Sequence, residues 1–283
     1  MTRTGIWLFP SLEASRLVAL AEEAERLGLD ELWLGDEGPA RDPFALLAAV
    51  AVRTERLRLG IAVTNPYLRL PAIAATSALT LQELSGGRFV LGFGTGGGYA
   101  LDPLGVRPTT PAADTERALL TARAVASGEA FAGVAHAIPP GGLPLFVGSR
   151  GPRLNRFASR AADGAFVGGV PLGLLDRVLG WARSEREIET AVYLNVAFDS
   201  AMLERRRPDL LRVLQDSPPY VREYFGDDHE KLVDEYIVHG DVSGRVQELV
   251  ARHRPTSIGI SLLGADPFEL LPRAAAVLTG VPV

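Results

Sequence analysis

The chain has 283 residues, is 47% hydrophobic and 22% charged, and carries a formal net charge of −5. This acidic balance excludes a dedicated nucleic-acid surface, which needs a concentrated basic face, and the lack of cysteine excludes disulfides, thiolate nucleophiles and cysteine-bound metals. No apolar run approaches the ~20 residues of a membrane-spanning helix, and the N-terminus MTRTGIWLFPSLE has no signal-peptide pattern, so a soluble, cytoplasmic protein is expected.

Short apolar runs alternate with longer amphipathic ones, the βαβ pattern of a parallel sheet. Gly5–Phe9 reads as the first strand. Pro10 and Ser11 then open a helix with Leu17, Leu20, Ala21, Ala24 and Leu27 at helical spacing, closed by Gly28. Glu31–Gly35 is the second strand and Pro43–Val52 a helix. Leu57–Val63 is the third strand, Pro71 to Leu84 a helix, and Arg88–Gly92 the fourth strand.

Asp102–Pro111 contains three prolines and reads as a loop, after which Asp114 is placed to cap a helix running to Ala126. Four more strands follow at Leu143–Val147, Ala165–Val167, Ala191–Phe198 and Ser257–Leu262, with helices at Pro152–Ala162, Leu172–Arg183, Val242–Arg252 and Pro267–Leu278. The stretch 200–240 is longer and more polar and reads as a helical excursion. Eight strand–helix units predict a single α/β domain over 1–283, a (β/α)8 TIM barrel; an open doubly wound sheet has the same alternation.

In such a barrel, functional groups collect just past the strand ends. Asp36–Glu37, Thr64–Asn65–Pro66, Gly92–Gly98, Gly148–Gly151 and Gly168–Gly169 all stand there. Gly92-Phe-Gly94-Thr-Gly96-Gly97 satisfies G-x-G-x-x-G, but the prolines after Asp102 leave no room for the helix that a dinucleotide fingerprint requires for over ten residues. These glycines read instead as a wall where the backbone passes close to something flat or bulky. Gly148-Ser149-Arg150-Gly151-Pro152 ends a strand and opens a helix, which suits phosphate, with Arg150 and Arg153 adding charge. An ordinary turn with solvated arginines is the other reading. His136, His229, His239 and His253 have no metal-ligand spacing, so no metal site is expected.

Val63-Thr64-Asn65-Pro66-Tyr67-x-Arg69-x-Pro71-Ala72-Ile73-Ala74, continuing through Leu81-x-Glu83-Leu84-Ser85-x-Gly87-Arg88 and Leu91-Gly92-x-Gly94, resembles the bacterial-luciferase-like superfamily. Within it, the resemblance is to the coenzyme F420-dependent branch, of the methylene-tetrahydromethanopterin reductase kind. Gly28–Asp36 and Val147-Gly148-x-x-Gly151-Pro152 with Ala161-x-Asp163-Gly164 match in the same order, so the likeness covers roughly residues 1–170. It implies a luciferase-like barrel with a bulge and a non-proline cis peptide, Ala62–Val63, behind the cofactor ring. It also implies cofactor contacts from Asp36, Ala62, Val63, Thr64 and Asn65, from Gly94, Thr95, Gly96 and Gly97, and from Gly148, Ser149, Arg150 and Gly151, the last group holding the phosphate. Thr64 and Asn65 would meet the pyrimidine edge, and Trp7 and Tyr99 would face the substrate.

The sequence departs from the F420 pattern at one place: Glu37 stands where relatives usually follow the aspartate with histidine. A buried glutamate can serve as general acid or base, so Glu37 is the catalytic candidate. The leading expectation is an F420-dependent oxidoreductase transferring a hydride to or from a small organic substrate. An FMN-dependent monooxygenase is the alternative, and a barrel that binds a flavin or deazaflavin without catalysis is the second. Relatives are commonly dimers, so a homodimer is an expectation, and Leu/Ala-rich helices such as Phe44–Val52 could supply its interface.

Overall fold

A computed structural model describes residues 2–280 except 37, 39, 129–141 and 216. Its eight strands are β1 (Arg3–Leu8), β2 (Glu31–Leu34), β3 (Arg58–Thr64), β4 (Phe89–Phe93), β5 (Leu145–Gly148), β6 (Gly164–Gly168), β7 (Glu189–Asn195) and β8 (Ser257–Ser261). Each pairs in parallel with the next. β8 then returns to β1, with Arg3 opposite Ser257 and Trp7 opposite Ser261, so the sheet is a closed barrel. That closure rules out the open sheet.

The helices are α1 (Ala14–Arg26), α2 (Pro43–Ala51), α3 (Pro71–Ser85), α4 (Gly98–Leu101), α5 (Pro111–Ala126), α6 (Pro152–Ala161), α7 (Leu175–Ala182), α8 (Ser200–Gln215), α9 (Pro219–Phe225), α10 (Leu232–Tyr236), α11 (Val242–His253) and α12 (Pro267–Thr279). Proline opens α2, α3, α5, α6, α9 and α12, where its missing N–H costs nothing. The side chains of Asp42, Asp241 and Asp266 accept first-turn N–H groups of α2, α11 and α12.

The structure corrects several expected boundaries. The first strand is two residues early, and α1 starts at Ala14 because Pro10–Ser11 are taken up by a turn in which Ser11 donates to the Phe9 carbonyl. α5 starts at Pro111, with Thr110 before it, so Asp114 sits inside the helix and accepts from the Thr110 hydroxyl instead of capping. The expected loop from Asp102 is preceded by the single turn of α4 and opens with a 3-10 turn, Asp102–Leu104, which Gly105 ends at φ 67°. A helix does therefore begin within the G-x-G-x-x-G neighbourhood, though only for one turn. The strand expected to reach Phe198 stops at Asn195, and Val196 makes an isolated bridge to Val238. α2 spends six of its nine residues on the chain's own core, so its apolar run is explained without a partner.

The barrel interior is filled in layers. At its N-terminal end the fully buried Glu31 accepts from Arg3 Nε (2.6 Å), Arg58 Nη1 (3.1 Å), Trp33 Nε1 (2.9 Å) and Ser257 Oγ (2.5 Å). Burial alone would raise its pKa, but the Ser257 hydrogen bond, Arg58, Trp33 and Arg3 together hold the carboxyl below its usual value. Above it lie Trp33, Phe146, Phe166 and Tyr193, whose ring centroids approach within 4.9–6.4 Å. Facing glycines make room for them: a methyl group at Gly60 would strike Trp33, and one at Gly164 would strike Phe146. This packed floor leaves chemistry only at the C-terminal mouth.

Candidate active site at the barrel mouth

The most irregular strand end is that of β3. Its register against β4 shifts between Ile61 and Thr64, and the Ala62–Val63 peptide is cis. The bulge turns the Val63 side chain toward β4 and β5, where a β-carbon on Gly94 or Gly148 would overlap its γ-methyls and one on Gly92 would lie 3.3 Å away. Gly94 of the expected ligand wall, and Gly148 beside it, are therefore needed first of all to seat Val63, whereas a β-carbon on Gly92 would strike the Ile61 carbonyl. On the inner side, Trp7 Nε1 donates to the Ala62 carbonyl at 2.7 Å, giving the bulged backbone a partner that no ladder supplies.

Behind the bulge, Asp36 is buried at the end of β2. Its Oδ2 accepts from the Thr64 hydroxyl at 2.7 Å and from Arg69 Nε at 2.9 Å. Arg69 also reaches Asp42 (2.6 Å) and lies over the Phe44 ring at 4.5 Å. Burial opposes its charge, and Asp42 and Asp36 more than offset this, so its pKa is raised. Asp36 and the Thr64 side chain thus brace the wall from behind.

Asn65 is buried, and its Oδ1 accepts from the N–H groups of Tyr67 and Leu68, both at 3.1 Å, closing an Asx turn. Its amide nitrogen makes no hydrogen bond among the described residues. Across from it, Gly96 has φ 67°, and a β-carbon there would lie 3.1 Å from that nitrogen and 2.8 Å from Leu101 Cδ1. Thr95 and Gly96 are partly exposed and Gly97 is exposed, so this loop opens to the mouth. The turn is tied to α5 by the Tyr67 hydroxyl, which donates to Asp114 at 2.5 Å; burial and that carboxylate push the tyrosine pKa well up.

The β5–α6 loop forms the adjoining wall. The Gly151 N–H donates to Ser149 Oγ at 3.0 Å, and the fully buried Asn155 donates from Nδ2 to the carbonyls of Ser149 (3.1 Å) and Gly151 (2.8 Å). Those bonds hold the loop above the N-terminus of α6. Arg150 Nη1 donates to Ser217 Oγ at 2.9 Å, and the Tyr220 hydroxyl donates to the Arg150 carbonyl at 2.6 Å. Arg153 forms a forked pair with Glu116 at 2.8 and 2.9 Å, which removes it as free positive charge.

The structure brings Trp7, Asp36, Ala62–Asn65, Gly94–Gly97 and Gly148–Gly151 to one end of the barrel. Glu37 lies outside the described residues. Tyr99 falls in α4, and its side chain lies outside the described ones. Three supporting residues had no role in the sequence reading. Arg69 stood inside a quoted motif, and its charge beside Asp36 was the available signal. Asn155 and Tyr220 gave none, because both act on loops distant in sequence.

The profile of the luciferase-like monooxygenase family matches residues 2–241, and the chain belongs to that family. It is 33% identical over 172 residues to the 5,10-methylenetetrahydromethanopterin reductase of Methanolobus tindarius, a match covering 58% of this chain and 53% of that one; it thus spans about half the relative's length. It is 29% identical over 218 residues to the F420-dependent glucose-6-phosphate dehydrogenase of Kineococcus radiotolerans, covering 65% of this chain and 64% of that one. In structure it is similar to the coenzyme F420-dependent tetrahydromethanopterin reductase of Methanopyrus kandleri, with a TM-score of 0.79 at 20% identity over 98% of this chain and 97% of that one. Among the described residues no helix is long and apolar enough to cross a membrane, and no group of three potential ligands could hold a metal ion.

Proposed function

We propose that this luciferase-like chain is an oxidoreductase that moves a hydride between coenzyme F420 and a small organic substrate at the barrel mouth. The observation that carries the reading is the pairing of the β3 bulge with the Gly94–Gly97 loop, where Asn65 presents an uncommitted amide nitrogen beside Gly96. A planar heterocycle fits such a place: a smooth backbone wall receives its face, and an amide donor meets a carbonyl on its edge. The two named relatives, one of them F420-dependent, support the cofactor class.

Bound there, F420 supplies the carbon that accepts or releases the hydride. The protein supplies position. Ala62–Asn65 and Gly94–Gly97 hold the ring, while Ser149, Arg150 and Gly151 hold the phosphate, where the unpaired N–H groups opening α6 favour an anion. Asp36 and Arg69 keep β3 in register behind the ring. Trp7 fixes the Ala62 carbonyl and closes the floor. Glu37 moves the proton that accompanies the hydride, in the position where relatives use histidine.

The test is cofactor affinity on the purified apo protein. F420 is expected to bind saturably and FMN at least about tenfold more weakly. Tight FMN binding with no F420 binding overturns the assignment in favour of a flavin monooxygenase.

A further inference from the structure

α8 follows β7 and touches the C-terminal end of the barrel, where Arg205 Nε donates to the Gly264 carbonyl just past β8 at 2.9 Å. The inward stripe of α8 is Met202, Arg206, Leu210 and Leu214, one residue every four, and the three apolar members are buried. Arg206 is thus a guanidinium in a core-facing position. Its stem rests on the β8–α12 connection: a β-carbon on Gly264 would lie 3.1 Å from Arg206 Cδ.

Among the described residues Arg206 makes no hydrogen bond and no ion pair. The carboxylate whose field it feels, Asp209, is exposed, and burial lowers the pKa of the guanidinium. Its five N–H donors therefore have no protein acceptor and are left to water, open to an anion. The neighbouring arginines do not share this state: Arg205 is bonded to Gly264, and Arg207 pairs with Glu204 at 3.4 Å.

We propose that Arg206 is a substrate-binding residue that recognises an anionic group, a carboxylate or a phosphate ester, on the molecule reduced or oxidised at the mouth. The assignment deepens the oxidoreductase reading and rests on it for the word substrate. The anion site itself stands on the arginine alone. It lies on the β7–β8 side of the mouth, so a substrate held there by its charged end enters across α8, while Ser149–Gly151 serve the cofactor from the β5 side.

The experiment titrates the full chain with inorganic phosphate and, separately, with benzoate, by NMR, with and without saturating F420. One of the two anions is expected to bind saturably in the presence of F420, and which one binds identifies phosphate or carboxylate. Arg206→Gln should weaken it about tenfold, and Arg206→Lys about threefold, because lysine keeps the charge and loses the fork. F420 affinity should change less than twofold in both variants. Equal anion binding by wild type and Arg206→Gln overturns the proposal. If F420 fails to bind while Arg206-dependent anion binding persists, the cofactor reading falls and the anion site remains.

Discussion

The γ-methyls of Val63 fill the space that a β-carbon of Gly148 would need. The last residue of β5 is therefore fixed as glycine by a side chain on β3, two strands away. Gly148→Ala should destabilise the fold by about 1–3 kcal/mol through overpacking. Adding Val63→Ala should recover much of that loss. Denaturant midpoints of the two single variants and the double variant check the coupling; strict additivity would sink it.

Asn155 and Arg153 sit on the same first turns of α6 and should behave oppositely. Asn155→Leu removes both bonds to the Ser149 and Gly151 carbonyls, and F420 affinity should fall about tenfold as the loop loosens. Arg153→Gln breaks an ion pair whose arginine is largely exposed, worth about 0–1 kcal/mol, and should leave cofactor affinity unchanged. Fluorescence titration of F420 measures both.

Glu37→Gln should leave F420 affinity within twofold and lower turnover about 10²-fold, the usual scale for loss of a general acid or base. The same variant should flatten the acidic limb of the pH–rate profile. Unchanged turnover on an active substrate would assign the proton transfer to another group.

The Glu31 cluster predicts the acid behaviour of the fold. The folded-state pKa of Glu31 lies below its usual 4.5, so its contribution to stability is complete above about pH 5 and is lost as pH falls through the folded value. Glu31→Gln should destabilise at neutral pH by about 3–5 kcal/mol, because Arg3 and Arg58 lose a buried partner. It should also make stability less steep between about pH 5 and 3. Thermal melts over that range would expose an error as parallel curves for the two proteins.

The strands and helices were legible because period and punctuation agree, in eight short apolar runs each closed by glycine or a polar turn; an open doubly wound sheet has the same alternation, and the choice of a closed barrel leaned on the family resemblance. The β3 bulge and its cis peptide came from the resemblance of Val63–Ala74 and not from periodicity, which reads Leu57–Val63 as an ordinary strand. The Gly92–Gly97 glycines read as a close approach, and what approaches Gly94 is Val63, a contact between strands that spacing along one strand cannot reveal; Gly148, read as part of a phosphate loop, meets the same side chain. Arg153 illustrates the reverse error. Its charge beside a phosphate-type loop looked available, and only the fold shows Glu116 of α5 taking it. Arg206 stayed hidden because it stands in a run of three arginines, Arg205–Arg207, and nothing in that run shows which of them lacks a partner.

The hydrogen bonds that Arg150 Nη1 donates to Ser217 Oγ and that the Tyr220 hydroxyl donates to the Arg150 carbonyl join a late segment of the chain to the loop that opens α6. The segment carrying Arg206 and the segment carrying the cofactor loop are thereby one mechanical piece. Divergence of the enzyme toward new substrates is accordingly constrained. Arg206 alone on the inward stripe of α8 is free to vary with what enters, and an exchange of the whole 200–240 stretch between relatives must carry partners for Arg150 with it, or it alters cofactor retention together with specificity.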